Sequence, residues 1–168
     1  MVLIKKVVIK MKNKKLLLGI VIGIIALIIV IILFLLLSRK TLTCTFKSDQ
    51  SSNGYSISAN YVVKAKYGIV QRVKINEVIT SKDSKVLNKF EKQFNKQYSY
   101  NKKTYGGYKY KITNNNDKVT SNVTIDYKKL DMKKFIDNNA AMKEYTENNK
   151  LTLDGAKKMY EATGAVCK

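Results

Sequence analysis

The feature that most constrains this chain is an uninterrupted apolar run from Leu16 to Leu37. Its 22 residues include no charged side chain. As a helix they would extend about 33 Å, which is close to the thickness of a bilayer hydrocarbon core. In lipid, a helix satisfies all the backbone hydrogen-bonding groups of such a segment internally. The run therefore predicts one transmembrane helix at residues 16–37, with the membrane as the first expected partner.

The charges on either side of the run predict its orientation. Only Arg39 and Lys40 follow it closely, whereas six lysines precede it: Lys5, Lys6, Lys10, Lys12, Lys14 and Lys15. Since cytoplasmic flanks carry the excess of basic residues, we expect residues 1–15 to form a basic cytoplasmic N-terminus. A start at Met11 instead of Met1 would leave this orientation unchanged. The chain is thus expected to be a single-pass protein of the cell membrane.

Two other ways of using the apolar run remain open. A secretory signal would be cleaved after small residues, but Leu35 to Lys40 is bulky and then charged. Lipidation at Cys44 would need Leu at position −3 and Gly or Ala at −1, and the preceding residues are Thr41-Leu42-Thr43. Both observations favour a retained signal anchor over cleavage or lipidation.

Beyond the apolar run, the remaining length suits one folded domain. We expect a short linker at residues 38–42 and an extracytoplasmic domain at residues 43–168, since about 130 residues are typical of a single core. Asn53-Gly54 and Asn114 to Asp117 are typical of tight turns between strands. Alternating apolar and polar residues predict five strands, at about 44–49, 55–67, 69–79, 108–113 and 119–127.

Helical periodicity appears in three other segments. Ser81 is a suitable N-cap for a helix at about 82–98, whose apolar face is Val86, Leu87, Phe90, Phe94 and Tyr98. Residues 130–149 are weakly helical, and Thr152 is expected to cap a final helix. The element order is βββαββαα, and it predicts an α+β domain in which helices cover one face of an antiparallel sheet.

Three segments of this domain resemble the YehR-type bacterial lipoproteins, a family of cell-envelope proteins without an assigned activity. They are the first hairpin with its helix, the run DKVTSNVTIDYKKLDMKK at residues 117–134, and the run LTLDGAKKMYEATGAV at residues 151–166. The resemblance covers about residues 53–165 and implies an envelope location, but it carries over no functional residues. The family is typically lipidated, whereas this chain has an apolar span and a second cysteine, Cys167.

The two cysteines lie at opposite ends of the predicted domain. In an oxidising compartment Cys44 and Cys167 are expected to form a disulfide, with two unpaired thiols as the alternative. Two cysteines without any histidine supply too few ligands for a typical zinc site, so no metal is expected.

No residue pattern indicates catalysis. The chain contains no histidine, which removes the commonest general base. Ser99 and Lys102 have the spacing of S-x-x-K acyl-enzymes, but chance explains this pair in a chain with so many lysines, and the companion motifs are absent. We therefore expect neither an enzyme nor a cofactor.

A cluster of tyrosines and lysines is the best candidate for a ligand surface. Tyrosine rings can stack on sugar rings and lysines can hold anionic groups. An ordinary hairpin with half of its tyrosines in the core is the alternative interpretation. The cluster comprises Tyr98, Tyr100, Lys102, Lys103, Tyr105, Tyr108, Lys109, Tyr110 and Lys111.

The net charge of +20 is compatible with an anionic partner, but lysine-rich codon usage would produce the same balance. Nucleic acid is not expected, because the predicted topology places the domain outside the cell. The leading hypothesis is a non-enzymatic module that binds an anionic cell-wall polymer or another envelope protein. The alternative is a structural or assembly subunit of a membrane complex.

Overall fold

The computed structural model describes residues 14–168, with side chains for residues 23–34 and 38–168. The predicted cytoplasmic segment lies almost wholly outside the described residues, as do both candidate start methionines. The chain divides into two compact units, Met1–Ser38 and Arg39–Lys168.

The described part of the first unit is one helix, α1, at Lys14–Leu37. Its described side chains cover only residues 23–34, and its large apolar side chains from Ile24 to Phe34 are 49% to 63% exposed. In the described part of the chain, no helix is long and apolar enough to cross a membrane. The transmembrane helix at residues 16–37 stays a prediction.

The second unit is an α+β domain built on an antiparallel sheet, as the sequence predicted. Its helices are α2 at Ser84–Tyr105, α3 at Met132–Asn138 and α4 at Leu153–Ala162. The strands are β1 Arg39–Gln50, β2 Tyr55–Lys66, β3 Ile69–Ser81, β4 Tyr108–Asn115, β5 Lys118–Asp126, β6 Thr146–Glu147, β7 Lys150–Leu151 and β8 Val166–Cys167. Six of these strands form the main sheet in the order β4-β5-β3-β2-β1-β8, and β6 and β7 form a separate small hairpin.

The first strand is longer than predicted, so the linker predicted at residues 38–42 is wrong. Residues 39–42 pair with residues 63–66 of β2. The strand extends through this polar segment because its backbone groups complete the hydrogen-bond ladder, which does not depend on an apolar side-chain pattern. The second unit accordingly begins at Arg39 and not at residue 43.

Helix boundaries also differ from the prediction. The helix predicted at 82–98 is α2, which runs seven residues further, to Tyr105, and its N-cap is Asp83, which accepts a hydrogen bond from the Lys85 amide. The hydroxyl of Ser81 instead donates to the Gly54 carbonyl oxygen, which fixes the turn before β2. The segment predicted as helical over 130–149 breaks into α3, a 3₁₀ turn at Ala140–Tyr145 and the small hairpin. Thr152 caps α4 as predicted, by accepting from the Gly155 amide.

The core lies between one sheet face and the helices. Val63, Val73 and Val119 on three adjacent strands are fully buried. Leu87 of α2 and Ala156 of α4 close the core from the helical side. Because side chains alternate along a strand, the residues between these positions point to the opposite face of the sheet.

A disulfide joins the two ends of the domain. Cys44 and Cys167 are bonded, which confirms the pairing expected from the sequence, and they are direct partners in the pairing of β1 with β8. Backbone hydrogen bonds of 3.0 and 2.8 Å between Thr43 and Lys168 extend this short ladder. The disulfide and the terminal strand therefore close the sheet edge at the middle of β1.

Candidate functional site

The tyrosines of the predicted ligand surface lie mainly in the core. Tyr98, Tyr105 and Tyr108 are buried, and Tyr110 is half-buried. Only Tyr100 is an exposed ring, with 56% of its surface accessible. Because α2 extends to Tyr105, the three residues Tyr98, Tyr100 and Tyr105 belong to this helix and not to a hairpin.

The lysines of that surface occupy two separate places. Lys102 and Lys103 lie in the last turn of α2, on the helical side of the domain. Lys109 and Lys111 are exposed on β4, where they alternate with Tyr108, Tyr110 and Ile112, so they lie on the sheet face opposite the helices. The structure thus does not bring the predicted tyrosines and lysines together as one surface. Tyr108 and Lys109 line one cavity, and Tyr100, Tyr105 and Tyr108 line another. The other five residues line neither cavity: Tyr98, Lys102, Lys103, Tyr110 and Lys111.

The first site is a basic face on the open side of the sheet, opposite the helices. Two adjacent shallow cavities of about 420 and 500 Å³ lie there, and both are lined by Arg72 and Asp126. We define the basic face by the nine cationic residues that line these cavities: Arg39, Lys40, Lys64, Lys66, Arg72, Lys74, Lys109, Lys128 and Lys129.

The strand register explains why these cations converge. Lys64 is paired with Arg72, and Arg72 with Asp126, so β2, β3 and β5 contribute one transverse row. In the neighbouring row Lys74 is paired with Thr124, and Thr124 with Lys109. Adjacent strands are about 4.8 Å apart, so Lys74 and Lys109 are separated by about 10 Å across the sheet. Residues distant in sequence therefore form one cationic field.

The negative charge within this field is small. Asp126 is the one acidic residue that lines the two cavities in the described structure, and its Oδ2 lies 3.6 Å from Nη2 of Arg72. Its other oxygen accepts a hydrogen bond from the Lys128 backbone amide. One carboxylate against nine cations leaves the face strongly positive, which favours anionic ligands.

A row of asparagines borders the basic face. Asn122, Asn76 and Asn60 are aligned across β5, β3 and β2, and Lys111 on β4 is paired with Asn122. The Asn76 Nδ2 atom donates to Asn122 Oδ1 at 2.9 Å. These exposed amides add hydrogen-bond donors and acceptors beside the cations.

The second site is a cleft of about 530 Å³ between the end of α2 and α3, on the helical side. Its lining combines three tyrosines of the predicted surface with a phenylalanine and four amide side chains, and it contains no acidic or basic residue. We call it the aromatic–amide cleft, and it is lined by Gln97, Tyr100, Asn101, Tyr105, Tyr108, Phe135, Asn138 and Asn139.

A carboxyl group also lies within the core, where the sequence analysis did not single it out. Glu77 of β3 points toward the helices, and its Oε2 accepts a hydrogen bond from the Tyr98 hydroxyl at 2.5 Å. Burial raises the pKa of Glu77, and hydrogen bonding from Tyr98 and Ser121 partly opposes this rise.

The Ser121 hydroxyl is the weaker of the two donors. Ser121 is fully buried opposite Glu77 and has no hydrogen-bond partner of full geometry among the described residues. Because a hydroxyl hydrogen can rotate, we assign Glu77 as its acceptor. Burial and the nearby Glu77 carboxylate together raise the pKa of Tyr98 well above 10, so Tyr98 remains a donor. Glu77, Tyr98 and Ser121 thus form one polar group between β3, β5 and α2.

Sequence reasoning missed the basic face, although part of its signal was present. Polar residues alternate with apolar ones along β2, β3 and β4, and those on the open side include Lys64, Arg72, Lys74 and Lys109. Their juxtaposition depends on the register of the strands, which no local pattern contains. In the described residues, no three His, Cys, Asp or Glu side chains are grouped as a metal site.

Comparison with known proteins identifies the fold. No protein-family model and no curated protein matches the chain. An NMR structure of the Escherichia coli YehR protein matches with a TM-score of 0.51 and 20% identity, covering 77% of this chain and 91% of that one. An NMR structure of a protein from Streptococcus pneumoniae matches with a TM-score of 0.46 and 13% identity, covering 77% and 85% of the two chains. The match to the YehR structure shows that the chain has a YehR-like fold.

Proposed function

We propose that this chain is a non-enzymatic module of the cell envelope, held at the outer side of the membrane by residues 16–37, which binds an anionic polymer. The observation that carries the proposal is the basic face, where nine cations surround one carboxylate on a sheet face that no helix covers among residues 39–168. Such a field attracts polyanions and increases their local concentration.

The exposure of the basic face favours a polymer over a small anion. Nearly all of its cationic side chains are exposed, so each contact with one anionic group is weak in water. A ligand with repeated charges can engage several cations at once, which multiplies the weak contacts into useful affinity. Five strands contribute residues near this surface, and it is therefore broad enough for several repeating units.

Codon usage alone would distribute lysines without regard to position on the sheet. On the described open face, the cationic residues are instead distributed unevenly along the strands. Two adjacent rows carry two cations each, Lys64 with Arg72 and Lys74 with Lys109, whereas the row through Thr113, Thr120, Val78 and Ser58 carries one, Lys47 on β1. This concentration supports a dedicated anion surface.

Two observations support anchoring by the apolar run and not by a lipid on Cys44. That cysteine is fully buried and bonded to Cys167, so its sulfur is not free to carry an acyl chain. The residues just before it, from Arg39 onward, belong to strand β1 of the folded domain. This argues against their being part of a signal segment that is removed. We propose that the chain is a relative of the YehR-type envelope proteins in which a membrane span replaces the lipid.

The proposal is tested by co-sedimentation of the full-length chain, in a zwitterionic detergent, with purified bacterial cell walls. Walls from which phosphate polymers have been extracted serve as the comparison. We expect binding to intact walls to fall steeply between about 0.1 and 1 M salt, as the screening length shortens from about 10 to about 3 Å. Extracted walls should retain little protein.

Two charge-matched variants identify the surface. The first changes Lys64, Lys74, Lys109 and Lys128 to Gln, and the second changes the exposed helix lysines Lys85, Lys89, Lys92 and Lys96 to Gln. Both lose four charges, and both should keep the melting temperature because exposed substitutions usually change stability by less than about 0.5 kcal/mol. Only the first should lose binding. Equal losses of wall binding in the two variants would indicate that diffuse positive charge, and not the basic face, holds the polymer. Unchanged binding in both variants would reject the polymer hypothesis.

A further inference from the structure

We propose that the aromatic–amide cleft is a binding site for a neutral saccharide. It lies on the helical side of the sheet and shares only Tyr108 with the cavities of the basic face, and its ligand would not depend on the anionic polymer. Its volume of about 530 Å³ falls within the range of about 300–1,000 Å³ that is typical of small-molecule sites.

The walls of the cleft are fixed by backbone contacts. The Tyr105 carbonyl oxygen accepts from the Asp131 amide at 2.8 Å, which joins the end of α2 to the start of α3. Gly106 and Gly107 have φ values of +69° and +70°, so the chain turns sharply from α2 into β4. A Cβ at Gly107 would lie 2.8 Å from the Asp126 carbonyl oxygen, so this tight turn needs glycine. This turn places Tyr108 in the lining of the cleft.

Aromatic rings give the cleft a stacking surface. Tyr100 is exposed and lies edge-on to Tyr105 at 6.2 Å between ring centres, and Tyr105 in turn meets Phe135 at 5.0 Å. The half-buried Phe135 ring packs against the buried Tyr105 ring, while Tyr100 presents a ring to solvent at the cleft. An exposed ring supported by neighbouring rings can bind a sugar ring through the apolar C–H groups of the sugar.

The amides supply hydrogen bonds in both directions. Asn138 Nδ2 donates to the Tyr105 hydroxyl at 3.3 Å, and Asn139 Nδ2 donates to the Phe135 carbonyl oxygen at 2.7 Å. Among residues 39–168, the carbonyl oxygens of these two side chains and the Nδ2 of Asn101 form no hydrogen bond. They remain available as two acceptors and one donor.

The composition of the cleft selects among ligand classes. A charged ligand would be expected to meet an opposite charge, yet the cleft has none in a chain with 32 lysines and arginines. A purely apolar ligand would bury the amides without partners, which is unfavourable. Burial and the nearby Tyr105 raise the pKa of Tyr108 to about 12, so its hydroxyl stays neutral. A neutral saccharide has hydroxyls that both donate and accept hydrogen bonds, and its ring faces are apolar. It therefore matches the uncharged lining, the amides and the aromatic rings of the cleft.

The test is an NMR titration of the full-length chain in a zwitterionic detergent that has no sugar headgroup. The probes are the N-acetylglucosamine trimer, maltotriose and cellotriose. We expect saturable shifts of the side-chain amide signals of Asn101, Asn138 and Asn139 with at least one probe, and these shifts should persist in 1 M salt. Persistence in salt separates this site from the basic face, whose ligand should be released.

Three variants complete the test. Tyr100→Ala should weaken binding about tenfold, since it removes the stacking ring, and Tyr100→Phe should retain most of the affinity. Tyr67→Ala removes an equally exposed tyrosine outside the cleft and should bind as the parent chain does. Unchanged binding in Tyr100→Ala, or the absence of saturable shifts with all three probes, would overturn the proposal. Shifts confined to residues of the basic face would also overturn it.

Discussion

Loss of the Cys44–Cys167 disulfide should lower the free energy of unfolding by several kcal/mol without abolishing the fold. The two cysteines are 123 residues apart in sequence, so the bond closes nearly the whole domain into a loop. In the chain-entropy model, closing a loop of this length raises the free energy of the unfolded state by about 5 kcal/mol at 25 °C. That value is an upper figure, since compact unfolded chains lose less entropy.

The fold should survive because the core does not depend on the bond. Val63, Val73, Val119 and Leu87 remain buried between the sheet and α2 when the sulfurs separate. The local loss is limited to the short β8 strand and its pairing with β1. We therefore expect a cooperative but weaker domain with a frayed C-terminal end.

The assay is urea unfolding of the Cys44→Ala/Cys167→Ala double variant, followed by tyrosine circular dichroism since the chain lacks tryptophan. The parent chain measured with and without a reductant separates the bond from the lost sulfur packing. The slope of the free energy of unfolding against urea concentration should be steeper in the double variant and in the reduced parent chain, because an unconstrained unfolded chain exposes more surface. A change below about 1 kcal/mol, with an unchanged slope, would refute the loop-entropy reasoning.

Two further predictions concern the core carboxyl group and the topology. Folding raises the pKa of Glu77 above its ordinary value of 4.5, so its contribution to stability is present at low pH and is lost as the pH rises through the folded pKa. Glu77→Gln should therefore increase stability at pH 7 and flatten its pH dependence above pH 4.5, as measured by urea unfolding, whereas a steeper dependence would contradict the burial argument. In intact cells, protease added outside should digest residues 39–168 and spare an N-terminal tag, and full protection of the domain would reverse the predicted orientation.

Local patterns predicted most of the main sheet and two of the helices. The alternation over residues 55–67 and the cap at Thr152 depend on near neighbours in sequence, and both features are present. The end of α2 was missed because residues 99–105 lack an aliphatic stripe, although Gly106-Gly107 is a recognisable stop signal. The strand β8 has two residues, and its place is determined by the disulfide and by β1 rather than by its own sequence.

The candidate site was less predictable because it depends on tertiary geometry. Alternation along β4 already implies that Lys109 and Tyr110 point to opposite faces, and Tyr98 already belonged to the predicted apolar face of the helix. The extension of α2 accounts for the burial of Tyr105. The cations in the two rows next to Lys109, which are Lys64, Arg72 and Lys74, come from β2 and β3, more than 30 residues earlier in the chain. Only the register of four strands brings them together.

The link between the two ends of the domain has a mechanical consequence. A pulling force applied between Arg39 and Lys168 would reach the Cys44–Cys167 bond after only a few residues on either side. The extensible chain is then about seven residues, or about 25 Å, instead of about 440 Å for the whole domain. Tension along the polypeptide would therefore bypass most of the sheet and the helices, and the domain would act as a short, nearly inextensible connector while the basic face and the aromatic–amide cleft stay folded.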